Sequence, residues 1–162
     1  MKITRAILLV ALACTSNTAL AQNALEQFSQ PGAVRLDQNA KNPVPPRGPA
    51  LVQFWASWCV GCRKTMDMVL ESNKEQGLSF FMVSMDEDPA AARNFLQRAG
   101  ASSDQLQSVT LVDTKQEIAT ALKITSVPTL LLIDRDGKIV ARIVGHTTPA
   151  EIKSMQRSIV SH

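Results

Sequence analysis

The chain has 162 residues, the size of one ordinary domain, and its 45% hydrophobic and 19% charged residues exclude wholesale disorder, collagen and coiled coil. The formal charge of +3 comes from 17 Lys+Arg against 14 Asp+Glu; without Lys2 and Arg5, which fall in an expected leader, the balance is 15 against 14. So nearly neutral a body lacks an electrostatic footprint for nucleic acid, and three Cys are too few for a disulfide-stapled mini-protein.

Residues 1–21 combine Lys2 and Arg5, the apolar run Ala6-Ile7-Leu8-Leu9-Val10-Ala11-Leu12-Ala13, and the ending Ala19-Leu20-Ala21. A positive start, a short apolar run and a small-x-small end predict a cleaved secretory signal peptide, leaving Gln22 first. The run falls short of the ~20 residues that span a bilayer, and no other segment reaches that length, so no stable membrane insertion is expected. Ala11-Leu12-Ala13-Cys14 loosely resembles a lipoprotein box in which Cys14 carries the lipid. A soluble periplasmic product, with Cys14 removed, is the preferred expectation.

Residues 22–49 hold Pro31, Pro43, Pro45, Pro46 and Pro49 among Asn, Gln and Gly. They predict an extended Pro-rich arm with at most one short strand at 33–36. Residues 50–162 form the expected domain. Leu51-Val52-Gln53-Phe54-Trp55 is a short apolar strand, followed by a helix with Cys62, Met66, Val69, Leu70 and Asn73 on one face and Gly77 as its stop. Residues 78–85 form a second apolar strand. Asp88-Pro89 then opens a helix to about residue 99. A third strand spans 109–112, and Asp113 and Gln116, at capping-box spacing, open a helix to about Leu122. A fourth strand at 129–133, the turn Asp134-Arg135-Asp136-Gly137 and a fifth strand at 138–144 make a hairpin. Thr148-Pro149-Ala150-Glu151 caps a last helix to about Val160. The pattern predicts an α/β fold: a mixed central sheet of about five strands with helices on both faces. Met66, Met68, Met82 and Met85 are read as flexible core filling in preference to copper ligands.

The chemistry concentrates in Trp55-Ala56-Ser57-Trp58-Cys59-Val60-Gly61-Cys62. A Cys-x-x-Cys pair directly after a buried strand opens a helix, where free N–H groups and the positive dipole end favour a thiolate at Cys59. Cys62, one turn further in, faces the core. Such a pair suits two-electron exchange, with Cys59 attacking and Cys62 resolving the mixed disulfide. Zinc fits poorly, since a structural site takes about four ligands and the mature chain adds only His146 and His162. A purely structural disulfide would close so small a loop that chain entropy contributes little. Cu(I) held by the two thiolates stays open as an alternative. No cofactor and no resident metal are expected.

Phe54-Trp55-Ala56-Ser57-Trp58-Cys59-x-x-Cys62 resembles the active-site strand and helix of the thioredoxin superfamily, and Ile124-Thr125-Ser126-Val127-Pro128-Thr129 resembles its cis-proline loop. The length between the two motifs leaves room for an extra strand and helix. With the leader and the later hairpin, residues 50–160 look most like periplasmic thiol–disulfide reductases of the TlpA/ResA type. The resemblance implies that Cys59 is the nucleophile, Cys62 the resolving Cys and Pro128 a cis-proline beside the disulfide. It also implies that Val127 pairs with the substrate backbone and that Trp58 shields the site. The implied function is a reductant for disulfides of secreted proteins, such as those needed in cytochrome c maturation, recharged by a membrane electron donor. A copper chaperone and a disulfide oxidase or isomerase are the alternatives. A peroxidase of the same fold would need a Thr-x-x-Cys site, which is lacking here.

Three positions depart from the family pattern. Gln53 stands where thioredoxin has a buried acid. Val60-Gly61 matches neither the reductant nor the oxidant dipeptide, and Asp67 replaces a frequent Pro. Asp86, Glu87 and Asp88 are read as a solvated loop and helix cap, with a place at the edge of the site as the alternative.

Overall fold

The computed structural model describes residues 23–37, 48–99, 106 and 109–161. The expected signal segment, Cys14, Gln22 and the prolines at 43, 45 and 46 lie outside the described residues. In chain order the elements are α1 (Ala24–Gln27), β1 (Ala33–Arg35), β2 (Ala50–Trp55), α2 (Cys62–Gln76), β3 (Ser79–Ser84) and α3 (Pro89–Arg98). There follow β4 (Thr110–Asp113), α4 (Glu117–Ala121), β5 (Thr129–Ile133), β6 (Ile139–Val144), α5 (Pro149–Arg157) and a 3-10 turn at Ser158–Ser161.

The six described strands form one sheet in the order β1-β4-β3-β2-β5-β6. β2 pairs with β3, and β3 with β4, in parallel; the other pairs are antiparallel. Every residue of β2, β4 and β5 is buried, which explains why these strands read as near-continuous apolar runs. The period-2 alternation divides their side chains between two layers. Val52, Phe54, Phe81, Val83, Leu131 and Ile133 pack with Phe28 of the N-terminal segment and Ile118 of α4. On the opposite face Leu51, Leu130 and Leu132 pack with Val69 of α2 and Ile152 of α5. Trp55, Met82 and Val112 meet Met66 of α2 and Leu96 of α3. Met66 and Met82 are thus core filling.

The helix signals act as the residue types predict. Gly77 ends α2 in the left-handed region (φ 63°), and the Asp88 side chain accepts from Ala90 N–H at the start of α3. Thr148 and Glu151 close a full capping box on α5.

The short strand expected at 33–36 forms as β1 and brings the sheet to six strands by docking on β4, with Ala33 opposite Asp113 and Arg35 opposite Leu111. Two expectations change. Phe28 and Leu36 join the core, so the described part of the arm is packed structure. Asp113 and Gln116 form no capping box: Gln116 is left-handed (φ 55°) and makes no side-chain cap, while the buried Asp113 Oδ2 accepts from Ala119 N–H at 2.8 Å. Between the two motifs the chain runs through β3, α3, β4 and α4, with β4 seated between β1 and β3.

Candidate active site

β2 sits at the centre of the sheet and delivers the chain to the head of α2. After Trp55 a turn closes through Cys59 N–H to Ala56 O (3.1 Å) and Cys62 N–H to Cys59 O (3.2 Å). Cys59 and Cys62 are joined in a disulfide with their Cα atoms 5.4 Å apart. Cys62 is the first helical residue and is wholly buried, whereas Cys59, outside the helix, retains 7% of its surface. The two sulfurs therefore differ in access. Trp58 and Val60 flank Cys59 at 68% and 98% exposure, so the outer face of the pair is apolar and open to solvent.

The electrostatics favour an anion at Cys59. α2 is 15 residues long, its first turn carries no acid and includes Arg63 and Lys64, and Gly61 caps it without a side-chain hydrogen bond. Free backbone N–H groups and the positive helix end thus face the pair without a competing side-chain anion in that turn.

Pro128 is buried, and the Val127–Pro128 peptide is cis. Thr129 lies opposite Phe54, which puts the proline beside the end of β2 where the turn begins. Val127 packs against the cluster that contains Cys59 and Cys62. Gly145 N–H donates to Pro128 O at 2.8 Å, anchoring the loop between β6 and α5 to this side. The next residue, His146, lies against Gly61, between the two cysteines in sequence: a Cβ on Gly61 would lie 3.4 Å from its Nε2. Cys59, Cys62, Trp58, Val127 and Pro128 therefore gather at one end of the sheet.

Two supports were not legible in the sequence. Gln53, buried in β2, donates from Nε2 to Cys62 O at 3.0 Å. Asp86 is a correction: it is 5% exposed rather than solvated. Its carboxylate accepts from Ser57 N–H (3.0 Å), Ser57 Oγ (2.7 Å) and Ser84 Oγ (2.6 Å), reaching the turn that carries Cys59. Glu87 is exposed, and Asp88 is the helix cap expected of it. Among the described residues no cluster of three or more His, Cys, Asp or Glu is arranged to hold a metal. No described helix is long and apolar enough to cross a membrane.

Residues 36–158 match the family model of the thioredoxin-like domain. The thiol-disulfide oxidoreductase ResA of Bacillus anthracis is 31% identical over 111 residues, covering 67% of this chain and 61% of the relative. ResA of Bacillus subtilis is 27% identical over 104 residues, covering 62% of this chain and 55% of the relative. The chain thus spans about three fifths of the length of the ResA relatives it matches, 61% for that of Bacillus anthracis. Among solved structures, a putative thiol:disulfide interchange protein DsbE from Chlorobium tepidum superposes with a TM-score of 0.58 at 26% identity, covering 70% of this chain and 79% of that one. The dsbF of Mycobacterium tuberculosis shares the fold, with a TM-score of 0.59 at 19% identity over 69% of this chain and 81% of that one. With both signature motifs at one end of this sheet and the family model matching most of its length, the chain belongs to the thioredoxin-like domain family.

Proposed function

We propose that the protein is a thiol–disulfide oxidoreductase that works outside the cytoplasm as a reductant of disulfides in secreted proteins. One observation carries the reaction class: a disulfide at the head of α2 joins a cysteine with residual access to one that is fully buried. Access selects Cys59 as the attacking thiolate. Its sulfur displaces one sulfur of a substrate disulfide and forms a mixed disulfide as the first substrate thiolate leaves. Cys62 then attacks Cys59, the second substrate thiol leaves, and the internal disulfide re-forms. Two electrons pass from the pair to the substrate, so a dithiol donor at the membrane must restore the pair.

The ResA relatives, named as thiol-disulfide oxidoreductases, support the reaction class. The leader pattern of residues 1–21 supports export to the periplasm. The apolar rim of Trp58 and Val60 suits an unfolded or extended polypeptide substrate better than a small polar thiol.

The test is insulin reduction together with a redox titration of the pair against glutathione. A reductant should lie nearer the thioredoxin potential of about −270 mV than the about −120 mV of a strong oxidant. A value near the latter would assign the protein to disulfide formation, and no exchange at all would refute the reading.

A further inference from the structure

Two opposed influences act on the turn that carries Cys59. The head of α2 favours an anion on Cys59. Asp86 holds a carboxylate against that same turn through Ser57. Ser57 N–H lies 3.2 Å from Oδ1 and 3.0 Å from Oδ2 of its carboxylate; Ser57 Oγ donates to Oδ1 at 2.7 Å and Ser84 Oγ to Oδ2 at 2.6 Å. Asp86 N–H donates back to Ser84 Oγ at 3.1 Å. Every one of these partners is neutral, and none of the ion pairs among the described residues includes Asp86. The hydrogen bonds hold the charge in place without cancelling it.

The grip falls on the reactive turn. Ser57 is two residues before Cys59, and the bond from Cys59 N–H to Ala56 O closes that turn around it. Met85 N–H donates to Trp55 O at 2.8 Å, fixing the end of β3 against the end of β2. Asp86 therefore extends from a rigid element onto the short loop that presents the nucleophile.

We propose that Asp86 is a positioning residue that fixes the turn carrying Cys59, and that its buried charge opposes the Cys59 thiolate and biases the pair toward giving up electrons. The proposal rests on the thiol–disulfide reading and concerns the direction of that exchange. Reduction of the disulfide takes two electrons and one proton when Cys59 is left as thiolate and Cys62 as thiol. One new negative charge then appears on the Cys59 sulfur. A fixed anion nearby raises the free energy of that product and leaves the neutral disulfide untouched. Because the anion is buried, salt screens it weakly. The disulfide form is favoured, and the dithiol becomes the stronger donor.

The experiment uses the intact mature chain and compares wild type, Asp86→Asn and Ser84→Ala. Asp86→Asn keeps the shape and removes the charge. Its equilibrium with glutathione should move toward the dithiol by roughly three- to tenfold, a rise of about 15–30 mV. Alkylation of Cys59 at neutral pH should quicken in parallel. Ser84→Ala leaves the charge and both Ser57 contacts, and should stay within about twofold of wild type. Asp86→Ser is the second neutral variant should Asp86→Asn not fold, with the same shift expected. An unchanged equilibrium in the neutral variant, a shift toward the disulfide, or an equal shift in Ser84→Ala would overturn the proposal. A wild-type pair that does not exchange with glutathione would overturn the functional reading beneath it.

Discussion

Gln53 lies beneath the helix that carries the buried cysteine, and its Nε2 donates to the Cys62 carbonyl oxygen at 3.0 Å while its Oε1 meets no partner among the described residues. The carbonyl dictates which end of the amide points at it, since only a donor satisfies it. A carboxylate at this position would face the same oxygen as an acceptor. Gln53→Glu should therefore hold its proton in the fold, because burial and the carbonyl both push the carboxyl above its ordinary value of about 4.3. A group whose folded pKa is raised contributes its stability below the unfolded value and loses it as pH rises through the folded one. The variant should be less stable than wild type by about 3 kcal/mol at pH 8 and by clearly less at pH 5, measured by urea unfolding at both. Equal losses at the two pH values would contradict the bond's direction.

Gly61 and His146 form the second relationship at the site. Gly61 has φ −81° and ψ −17°, a conformation open to any residue, so space rather than backbone geometry restricts it. A Cβ there meets His146 Nε2 at 3.4 Å, ordinary contact. Gly61→Ala should stay within about 0.5 kcal/mol of wild-type stability. Gly61→Leu should displace the imidazole and slow insulin reduction, and His146→Ala should restore part of the rate. A double-mutant cycle on kcat/KM should give a coupling of at least about 0.5 kcal/mol. Strict additivity would show that the two side chains do not meet.

The sequence made the sheet and its helices readable because each carries a local signal. β2 and β5 are buried on both faces and read as apolar runs, and Gly77, Asp88 and the Thr148/Glu151 box sit where caps belong. What stayed hidden depends on distant partners. Asp86 looks like any loop acid until Ser57, 29 residues away, takes its carboxylate out of solvent. Asp113 has the spacing of a cap but bonds Ala119 instead, because Gln116 turns left-handed between them. Phe28 and Leu36 belong to apolar patterns only one repeat long, Ala24/Leu25/Phe28 and Val34/Leu36, too short to announce their burial. The cysteine pair and its cis-proline lie on different elements, and only the resemblance to a known pattern joined them before the fold did.

Phe28 tests whether the N-terminal segment is integral to the domain. It is 1% exposed and meets Phe81 of β3 edge-on with ring centroids 5.6 Å apart. Phe28→Ala should cost about 3–5 kcal/mol, read from the urea midpoint at unchanged slope. A loss under about 1 kcal/mol would mark the segment as loosely attached.

The α5 cap gives a pH signature. Hydrogen bonds from the Thr148 side chain, the Thr148 backbone N–H and Thr147 hold the Glu151 carboxyl below its ordinary value of 4.5. A lowered folded pKa contributes stability that is present above 4.5 and lost as pH falls through the folded value. Glu151→Gln should flatten the part of the stability–pH curve below 4.5 while leaving its neutral limb parallel to wild type. An unaltered acid limb would show that the cap does not respond to that proton.

Covalent trapping in the periplasm reads out the division of labour between the two cysteines. Attack by Cys59 needs no second thiol, but release needs Cys62. Cys62→Ala should accumulate mixed disulfides with secreted proteins through Cys59, seen on non-reducing gels and named by mass spectrometry, while Cys59→Ala accumulates none. Trapping by Cys59→Ala alone, or by neither variant, would contradict the account.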